Sequence, residues 1–290
     1  MKHTSNIRLR TVKNQTFFIL VCVLSGITML PLFLIIWEVL KKGYKLFHFR
    51  LFIETTPTSM DAMLAKISGE SIPGGILNGI TGGFLMLSVA IVIAIPVGIL
   101  AGIYLSEKAH SGFAGFVRYL TDLIQGIPSI VIGIIAYHWV VKPLHSYSAL
   151  SGSVALAIMM LPLIVRSTEE TLKMLPGTLK EAGLALGASY TNVILKILIP
   201  SAFGGLFTGI LLAVSRVMGE TAPLMLTALG ATAVNWDLSK PASAIPLLIW
   251  EFYNDPHLID MIWSSSLLLL LLILTLNLIA KQVAKKWKIQ

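Results

Sequence analysis

Long runs of apolar residues, separated by short polar segments, recur along this chain from residue 17 to residue 280. A helix needs about 20 mostly apolar residues to cross the hydrocarbon part of a bilayer. The runs therefore predict an all-α integral membrane protein with six transmembrane helices, at residues 17–40, 74–105, 122–141, 149–165, 203–230 and 258–280. The first run lacks a small-residue cleavage motif and is longer than a typical signal core, so we interpret it as a permanent helix.

Composition supports a membrane protein and argues against soluble classes. Of the 290 residues, 56% are hydrophobic and 12% are charged, whereas a soluble domain carries about 25% charged residues. The net charge of +8 is typical of some nucleic-acid-binding proteins, but here the Lys and Arg residues lie at the ends of apolar runs. We therefore predict membrane lipid and no nucleic acid as a partner. The single cysteine, Cys22, excludes an intrachain disulfide.

The distribution of basic residues predicts which side of the membrane each loop occupies. Most of the 22 Lys and Arg residues lie in the tails 1–16 and 281–290 and in the loops after the second and fourth spans. Cytoplasmic loops hold an excess of Lys and Arg, so both tails are predicted to be cytoplasmic. Residues 41–73 then form an external loop, although four basic residues near its start oppose the rule.

Glycines four residues apart occur in the second and fifth predicted spans. The pairs are Gly75 and Gly79, Gly98 and Gly102, and Gly205 and Gly209. Such spacing lets two helices approach closely in a bilayer. The sequence leaves two alternatives open: packing within this chain, or a face for a second subunit.

The sequence lacks the motifs of the common enzyme classes. It contains no G-x-x-x-x-G-K-[ST] nucleotide loop, no dinucleotide fingerprint, no G-x-S-x-G and no H-E-x-x-H. Its six histidines form no pair at metal-ligand spacing beside Cys, Asp or Glu. The chain is therefore predicted not to be an enzyme and to hold no metal or cofactor of its own.

The longest predicted cytoplasmic loop, 166–200, contains a short amphipathic segment. Thr178 and Glu181 have the Thr-x-x-Glu spacing of a capping box and predict the start of a helix. Gly187 would end that helix. Short helices of this kind often lie on lipid headgroups, so a surface helix and a docking element remain alternatives.

The same segment resembles the EAA loop of ABC importer permeases, which reads E-A-A, three residues, G, nine residues and I-x-L-P. Glu181, Ala182, Gly187 and Pro200 match this spacing, and Gly183 replaces the second alanine. The resemblance covers residues 74–280, with the first span as an N-terminal addition. It implies a type-1 ABC importer permease fold, in which the loop docks on a separate ATPase that binds ATP and Mg²⁺.

Two ionisable residues lie inside the fifth predicted span. A charge within a membrane costs several kcal/mol unless it is paired or hydrated, which makes Arg216 and Glu220 candidates for function. They are four residues apart, so on an unbroken helix they would share a face and could neutralise each other. A structural ion pair is one interpretation. The other is an anion path, because a guanidinium matches the paired oxygens of a tetrahedral oxyanion.

Polar and helix-breaking residues also interrupt the third predicted span. Gln125 and Gly126 precede Pro128 and Ser129, and a proline suits the first position of a helix. A new helix beginning there would direct free backbone N–H groups toward a cavity that could receive an anion. The alternative is an ordinary proline kink.

Three further charged residues lie near the predicted cytoplasmic ends of spans. Arg118 and Asp122 are four residues apart and are predicted to form a pair at the membrane interface. Arg166 ends the fourth predicted span, either as part of the path or as an interface anchor.

Residues 126–131 and 215–224 together resemble permeases of phosphate-specific ABC importers. In the second string the resemblance rests on Arg216, Gly219, Glu220, Thr221 and Pro223. It implies a related second permease, two copies of an ATPase and an external phosphate-binding protein as partners, in the bacterial inner membrane. The expected path residues are Arg216, Glu220, Ser129, Gln125, Thr221 and Arg166, and the expected helix breaks are at Gly126, Pro128, Gly219 and Pro223.

The expected function is that of a permease subunit that moves inorganic phosphate by alternating access. A sulfate or molybdate importer with the same architecture is the nearest alternative. A standalone channel or membrane sensor, with the loop as a plain surface helix, is an alternative from another class. A membrane enzyme is a third, and it is disfavoured by the missing catalytic motifs.

Overall fold

The structure is a computed structural model that describes residues 3–286, with side chains from residue 9 onward. The predicted tails 1–16 and 281–290 extend beyond these described residues. Helices are the regular elements of the described chain, which confirms the predicted all-α class. They are α1 (His3–Gly43), α2 (Arg50–Ile53), α3 (Ser59–Ser68), α4 (Leu77–Glu107), α5 (Gly112–Gly126), α6 (Ser129–Ala136), α7 (Lys142–Leu144), α8 (Ala149–Lys173), α9 (Gly177–Ala185), α10 (Tyr190–Val193), α11 (Ile199–Val217), α12 (Ala222–Met225), α13 (Ile245–Tyr253) and α14 (Ile259–Lys286).

Five continuous helical segments are long and apolar enough to cross a membrane. They are Leu9–Leu46, Leu77–Glu107, Ala149–Lys173, Tyr190–Val217 and Ile259–Lys286. A sixth candidate consists of two arms, Gly112–Gly126 and Ser129–Leu144, which meet at an angle of 107°. Counting this bent pair as one span gives the six spans that the sequence predicts.

The helices differ in their bounds from three of the predicted spans. The span predicted at 122–141 corresponds to the bent pair that begins at Gly112. The helix predicted at 149–165 continues to Lys173, and hydropathy does not detect its last two turns because they are polar. The span predicted at 203–230 instead covers Tyr190–Val217. Hydropathy alone misplaces it, since Lys196 and Pro200 give the start of the helix the composition of a loop.

Two π-helical segments each precede a proline by two residues. Tyr137–Val141 lies before Pro143, and Ile194–Leu198 lies before Pro200. A proline inside a helix lacks an N–H group, and its ring clashes with the carbonyl four residues earlier. A wider π turn relieves that conflict without ending the helix. This explains how Pro200, the last residue of the EAA-like motif, lies within a continuous span.

Helix α8 is the centre of the molecule. Of its 18 most apolar consecutive residues 67% are buried, whereas none of the corresponding 18 residues of the first span are. A Cβ atom on Gly102 of α4 would lie 2.6 Å from Cγ2 of Thr168 on α8, so the two backbones approach as closely as glycine allows. Gly205 of α11 faces Thr171 of α8 in the same way. These glycines therefore pack helices within this chain.

Helix α1 lies at the edge of this assembly. It contacts α14, where the hydroxyl of Ser264 donates a hydrogen bond of 3.0 Å to the carbonyl of Gly43. Most of its apolar side chains are exposed, as expected for a helix surrounded by lipid or by another membrane subunit, and Val39 near its end is buried.

Candidate anion path and coupling surface

The third predicted span is broken at the Gly-Ile-Pro sequence. Helix α5 ends at Gly126, and Ile127 is extended (φ −73°, ψ 132°), as expected for a residue that precedes proline. Pro128 has a non-helical ψ of 137° and caps α6, which begins at Ser129. The prediction of Pro128 as the first helical residue is therefore wrong by one position. The bend of 107° far exceeds an ordinary proline kink.

Arg216 lies in the last turn of α11, which ends at Val217. Because the helix ends there, Arg216 and Glu220 do not lie on one continuous helical face, which was the condition for the alternative of a structural ion pair. Within the part of the chain with described side chains, neither the guanidinium nor the carboxylate has an ion pair or a hydrogen bond. Arg216 is exposed on the isolated chain. It is a cation in a membrane-spanning helix without a countercharge in this structure.

The two interrupted segments of the chain lie side by side. A Cβ atom on Gly133 of α6 would lie 2.8 Å from Cα of Pro223 on α12, so the two backbones are in direct contact. Gln125 and Arg216 line one narrow cleft near this contact, together with apolar side chains such as Met159. The cleft has a volume of about 20 Å³, which is room for about one water molecule and too little for a tetrahedral oxyanion.

The other predicted path residues do not line this cleft. Ser129 and Thr221 are both partly buried, Ser129 at the start of α6 and Thr221 just before α12. Arg166 lies on α8 and is held by carboxylates instead. The structure thus brings Gln125 and Arg216 together. The role of each predicted residue in a path stays a prediction.

A network of charges joins α5 and α8, and its centre is a residue that the sequence analysis missed. Glu169 is 2% exposed. Its carboxylate is 2.7 Å from Nε of Arg118, 2.6 Å from Nζ of Lys173 and 3.4 Å from Nη1 of Arg166. Asp122 pairs with Arg166. The predicted pair of Arg118 with Asp122 is therefore wrong.

Arg118 also closes the turn between α4 and α5. Its two terminal nitrogens donate hydrogen bonds of 2.8 Å to the carbonyls of Leu105 and Ala109. The contact of Arg118 with Glu169 spans 51 positions of sequence. The sequence contained one local indication that Glu169 is paired. Arg166 and Lys173 lie three and four residues from it, which places all three on one face of a helix.

The EAA-like segment forms a short helix, but it begins differently from the prediction. Helix α9 starts at Gly177 after Pro176, so the predicted capping box of Thr178 and Glu181 is wrong. The helix ends at Ala185, and Gly187 has a φ of +82°. This left-handed conformation favours glycine and agrees with its predicted role at the end of the helix.

One side of α9 packs against the start of the fifth span, and the other side is free. Gly183 is buried against Val193 and Ile197, so its lack of a side chain lets the helix lie close to the span. Glu181 and Ala182 are exposed, and Leu186 is 88% exposed. This side of α9 is free to contact another protein, and its docking role stays a prediction.

Comparisons with known proteins identify the class. Residues 94–288 match the family described as the inner membrane component of binding-protein-dependent transport systems. The chain belongs to this family.

Individual relatives indicate one kind of permease within this family. The chain is similar to the phosphate transport system permease protein PstA of Yersinia pestis, with 37% identity over 92% of this chain and 89% of that protein. It is also similar to PstA of Pasteurella multocida, with 37% identity over 85% of each chain. A probable PstA of Methanocaldococcus jannaschii is 33% identical over 92% of each chain.

A solved structure confirms the predicted type-1 ABC importer permease fold. A chain of the MetNI methionine ABC transporter, in an inward-facing conformation, matches with a TM-score of 0.58 and 19% identity. The match covers 73% of this chain and 94% of that chain. At this level of identity the likeness concerns the fold alone.

Proposed function

We propose that this chain is a permease subunit of an ATP-driven importer that moves inorganic phosphate across the bacterial inner membrane. The observation that carries the proposal is the similarity to phosphate transport permeases over 85–92% of the chain. It is supported by an unpaired intramembrane arginine that lies beside a helix break, since such an arginine can bind an anion.

The anion path runs past the place where α6 and α12 meet. Arg216 binds two oxygens of the phosphate through its planar guanidinium, and Gln125 offers an amide to a third oxygen. The first turn of α6 and Ser129 add donors to the same anion. Thr221 and Glu220 complete the path from the segment after α11, where Glu220 limits the affinity so that phosphate is released. Arg166 is the path residue at the cytoplasmic end of the anion path.

The cleft between Gln125 and Arg216 has to widen before phosphate can pass. Its volume in the isolated chain is about 20 Å³, which is less than a tetrahedral oxyanion occupies. A related second permease supplies the opposite wall, and movement of α5 and α6 against α11 widens the cleft. This is alternating access, in which different ligands favour different states of the same helices.

Energy for that movement comes from a separate ATPase. Glu181, Ala182, Gly183, Gly187 and Pro200 belong to the coupling segment, and the exposed side of α9 is the surface that docks on the ATPase. ATP and Mg²⁺ bind to that partner, present in two copies, and this chain catalyses no reaction. An external phosphate-binding protein delivers the anion to the outer loops.

The orientation follows from the basic residues. Both termini are cytoplasmic, which places α9 on the cytoplasmic side and residues 41–73 outside. The contact between α1 and α14 fits this arrangement, because the end of α1 at Gly43 and the start of α14 near Ser264 lie at the same level.

Uptake of radiolabelled phosphate tests the cargo. Cells with and without this chain are compared at micromolar phosphate, with excess sulfate or molybdate added to parallel samples. Loss of phosphate uptake in the deletion strain, with no inhibition of the intact strain by either competitor, supports the proposal. Unchanged phosphate uptake with a loss of sulfate or molybdate uptake contradicts it and identifies the other cargo.

A second experiment tests the coupling surface. Glu181→Pro and Gly187→Asp each disturb α9 or its end, and both are expected to weaken co-purification of the ATPase or to separate ATP hydrolysis from uptake. Lys281→Gln, at a distant cytoplasmic position, serves as the control. Normal co-purification together with normal transport in both α9 variants contradicts the docking role.

A further inference from the structure

A cluster of three side chains connects α9, the short helix of the EAA-like segment, to two membrane spans. The carboxylate of Glu107, the last residue of α4, accepts hydrogen bonds from the ammonium of Lys180 on α9 and from the hydroxyl of Tyr190 at the start of α10. The Lys180 ammonium also lies 4.9 Å from the centroid of the Tyr190 ring. The carboxylate at the end of α4 therefore binds two neighbouring segments that lie 73 and 83 positions later in the sequence.

The charges in this cluster are shielded more than an ordinary surface ion pair. The side chain of Glu107 is 13% exposed and that of Lys180 is 33% exposed. The hydrogen bond to Glu107 raises the pKa of Lys180 above its ordinary value. A partly buried, charge-assisted pair holds its geometry better than an exposed pair does.

Two neighbouring residues of α9 face opposite environments. The Lys180 side chain is bound to the membrane spans, whereas Glu181 is exposed and has no side-chain partner within the described part of the chain. Gly183 packs on Val193 and Ile197 through apolar contact. Apolar contacts allow sliding more readily than a directed ion pair does, so the cluster fixes the angle of α9.

We propose that Glu107, Lys180 and Tyr190 are positioning residues that transmit displacement of α9 to α4 and to the fifth span. The inference rests on the proposed function, because it needs an ATPase that moves α9. Helix α4 packs along α8 through Gly98 and Gly102. A displacement of Glu107 at the end of α4 is therefore transmitted to α8, the central helix. Tyr190 begins the span that ends at Val217 and contains Arg216, so the same displacement reaches the proposed path.

The test uses the complete complex of both permeases, the ATPase and the binding protein in proteoliposomes. Phosphate uptake and ATP hydrolysis are measured together for Glu107→Gln, Lys180→Met and the milder Tyr190→Phe. Lys196→Met is the matched control, because Lys196 is an exposed lysine near α9 with no ion pair in the described chain. The double variant Glu107→Lys with Lys180→Glu restores a pair with reversed charges.

We expect the ratio of phosphate imported to ATP hydrolysed to fall about fivefold in Glu107→Gln and Lys180→Met. The ATPase should co-purify normally, Tyr190→Phe should show a smaller loss, and Lys196→Met should match the wild type. The reversed pair should recover a large part of the ratio. A merely structural role would change the amount of complex and leave the ratio unaltered.

An unchanged ratio in both single variants overturns the inference, and so does a reversed pair no better than either single change. If a variant yields too little complex, Tyr190→Phe removes only one hydroxyl and decides the question by the same ratio. Wild-type complex that hydrolyses ATP and imports no phosphate contradicts the proposed function itself, so the two failures are distinguishable.

Discussion

Two groups of charges in this molecule differ in how they are compensated. Around Glu169, three cations converge on one buried carboxylate, and one of these cations, Arg166, also pairs with Asp122. Arg216 has no ion pair in the part of the chain whose side chains are described, although it lies in a membrane-spanning helix. The first group ties α5 to α8 and is satisfied within the chain. The second has no countercharge among the residues whose side chains are described.

The difference indicates separate roles. A buried charge that is fully paired fixes the relative position of two helices, and removing one partner leaves the others uncompensated. A charge that is left free can bind a mobile anion and release it again.

Glu169→Gln should have the largest effect on stability. The uncharged amide removes the carboxylate that Arg118, Lys173 and Arg166 share, and Arg166 alone keeps a second partner, Asp122. We expect the free energy of unfolding to fall by about 3 kcal/mol. Denaturant titration of the purified complex measures the loss. Glu170→Gln is the control one residue away, where the side chain is exposed, and an equal loss in both variants would contradict the role of the network.

Arg216→Gln should have the largest effect on transport and little effect on stability. Because no partner in the described chain depends on the guanidinium, the complex should assemble normally while phosphate uptake falls about 100-fold. Initial uptake rates at equal amounts of membrane complex provide the measurement. Uptake at the wild-type rate would make Arg216 a packing residue.

Arg216→Lys sharpens the same point. Lysine keeps the positive charge and loses the planar pair of donors, so uptake should fall by about tenfold rather than 100-fold. The apparent affinity and the maximal rate of uptake are measured separately. If lysine behaved like glutamine, charge alone would not explain the role of Arg216.

Asp122→Asn should have the smallest effect. The Asp122 side chain is 55% exposed, and an exposed pair contributes about 0.5 kcal/mol. The midpoint of denaturation should therefore shift only slightly, while Arg166 retains Glu169. If Asp122→Asn lost as much stability as Glu169→Gln, the network would depend on the exposed pair of Asp122 with Arg166 rather than on buried Glu169.

The membrane spans could be predicted from the sequence because the bilayer imposes a length and a composition on them. Six apolar runs correspond to five continuous spans and one bent pair. The start of the fifth span was misplaced, since a lysine and a proline made its first turns resemble a loop. A π segment before Pro200 keeps the helix continuous there, and hydropathy carries no signal for it.

The pairing of charges could be predicted less well. The spacing of Arg216 and Glu220 indicates a pair only if the helix continues, and the helix ends at Val217. Arg118 has a nearby partner in sequence, Asp122, but binds Glu169 of another helix instead. Local spacing cannot rank a neighbour four residues away against a carboxylate that the fold brings closer. The helix break at Pro128 was predictable, because proline acts on the backbone locally.

The most direct test of the account compares Arg216→Gln and Glu169→Gln in the same cells. Membrane abundance of the chain, co-purification of the ATPase and initial phosphate uptake are measured for both variants. The account predicts normal abundance without uptake for Arg216→Gln, and reduced abundance with uptake in proportion to it for Glu169→Gln. Normal uptake in Arg216→Gln, or normal abundance without uptake in Glu169→Gln, would contradict the division between a free charge for transport and a paired cluster for the fold.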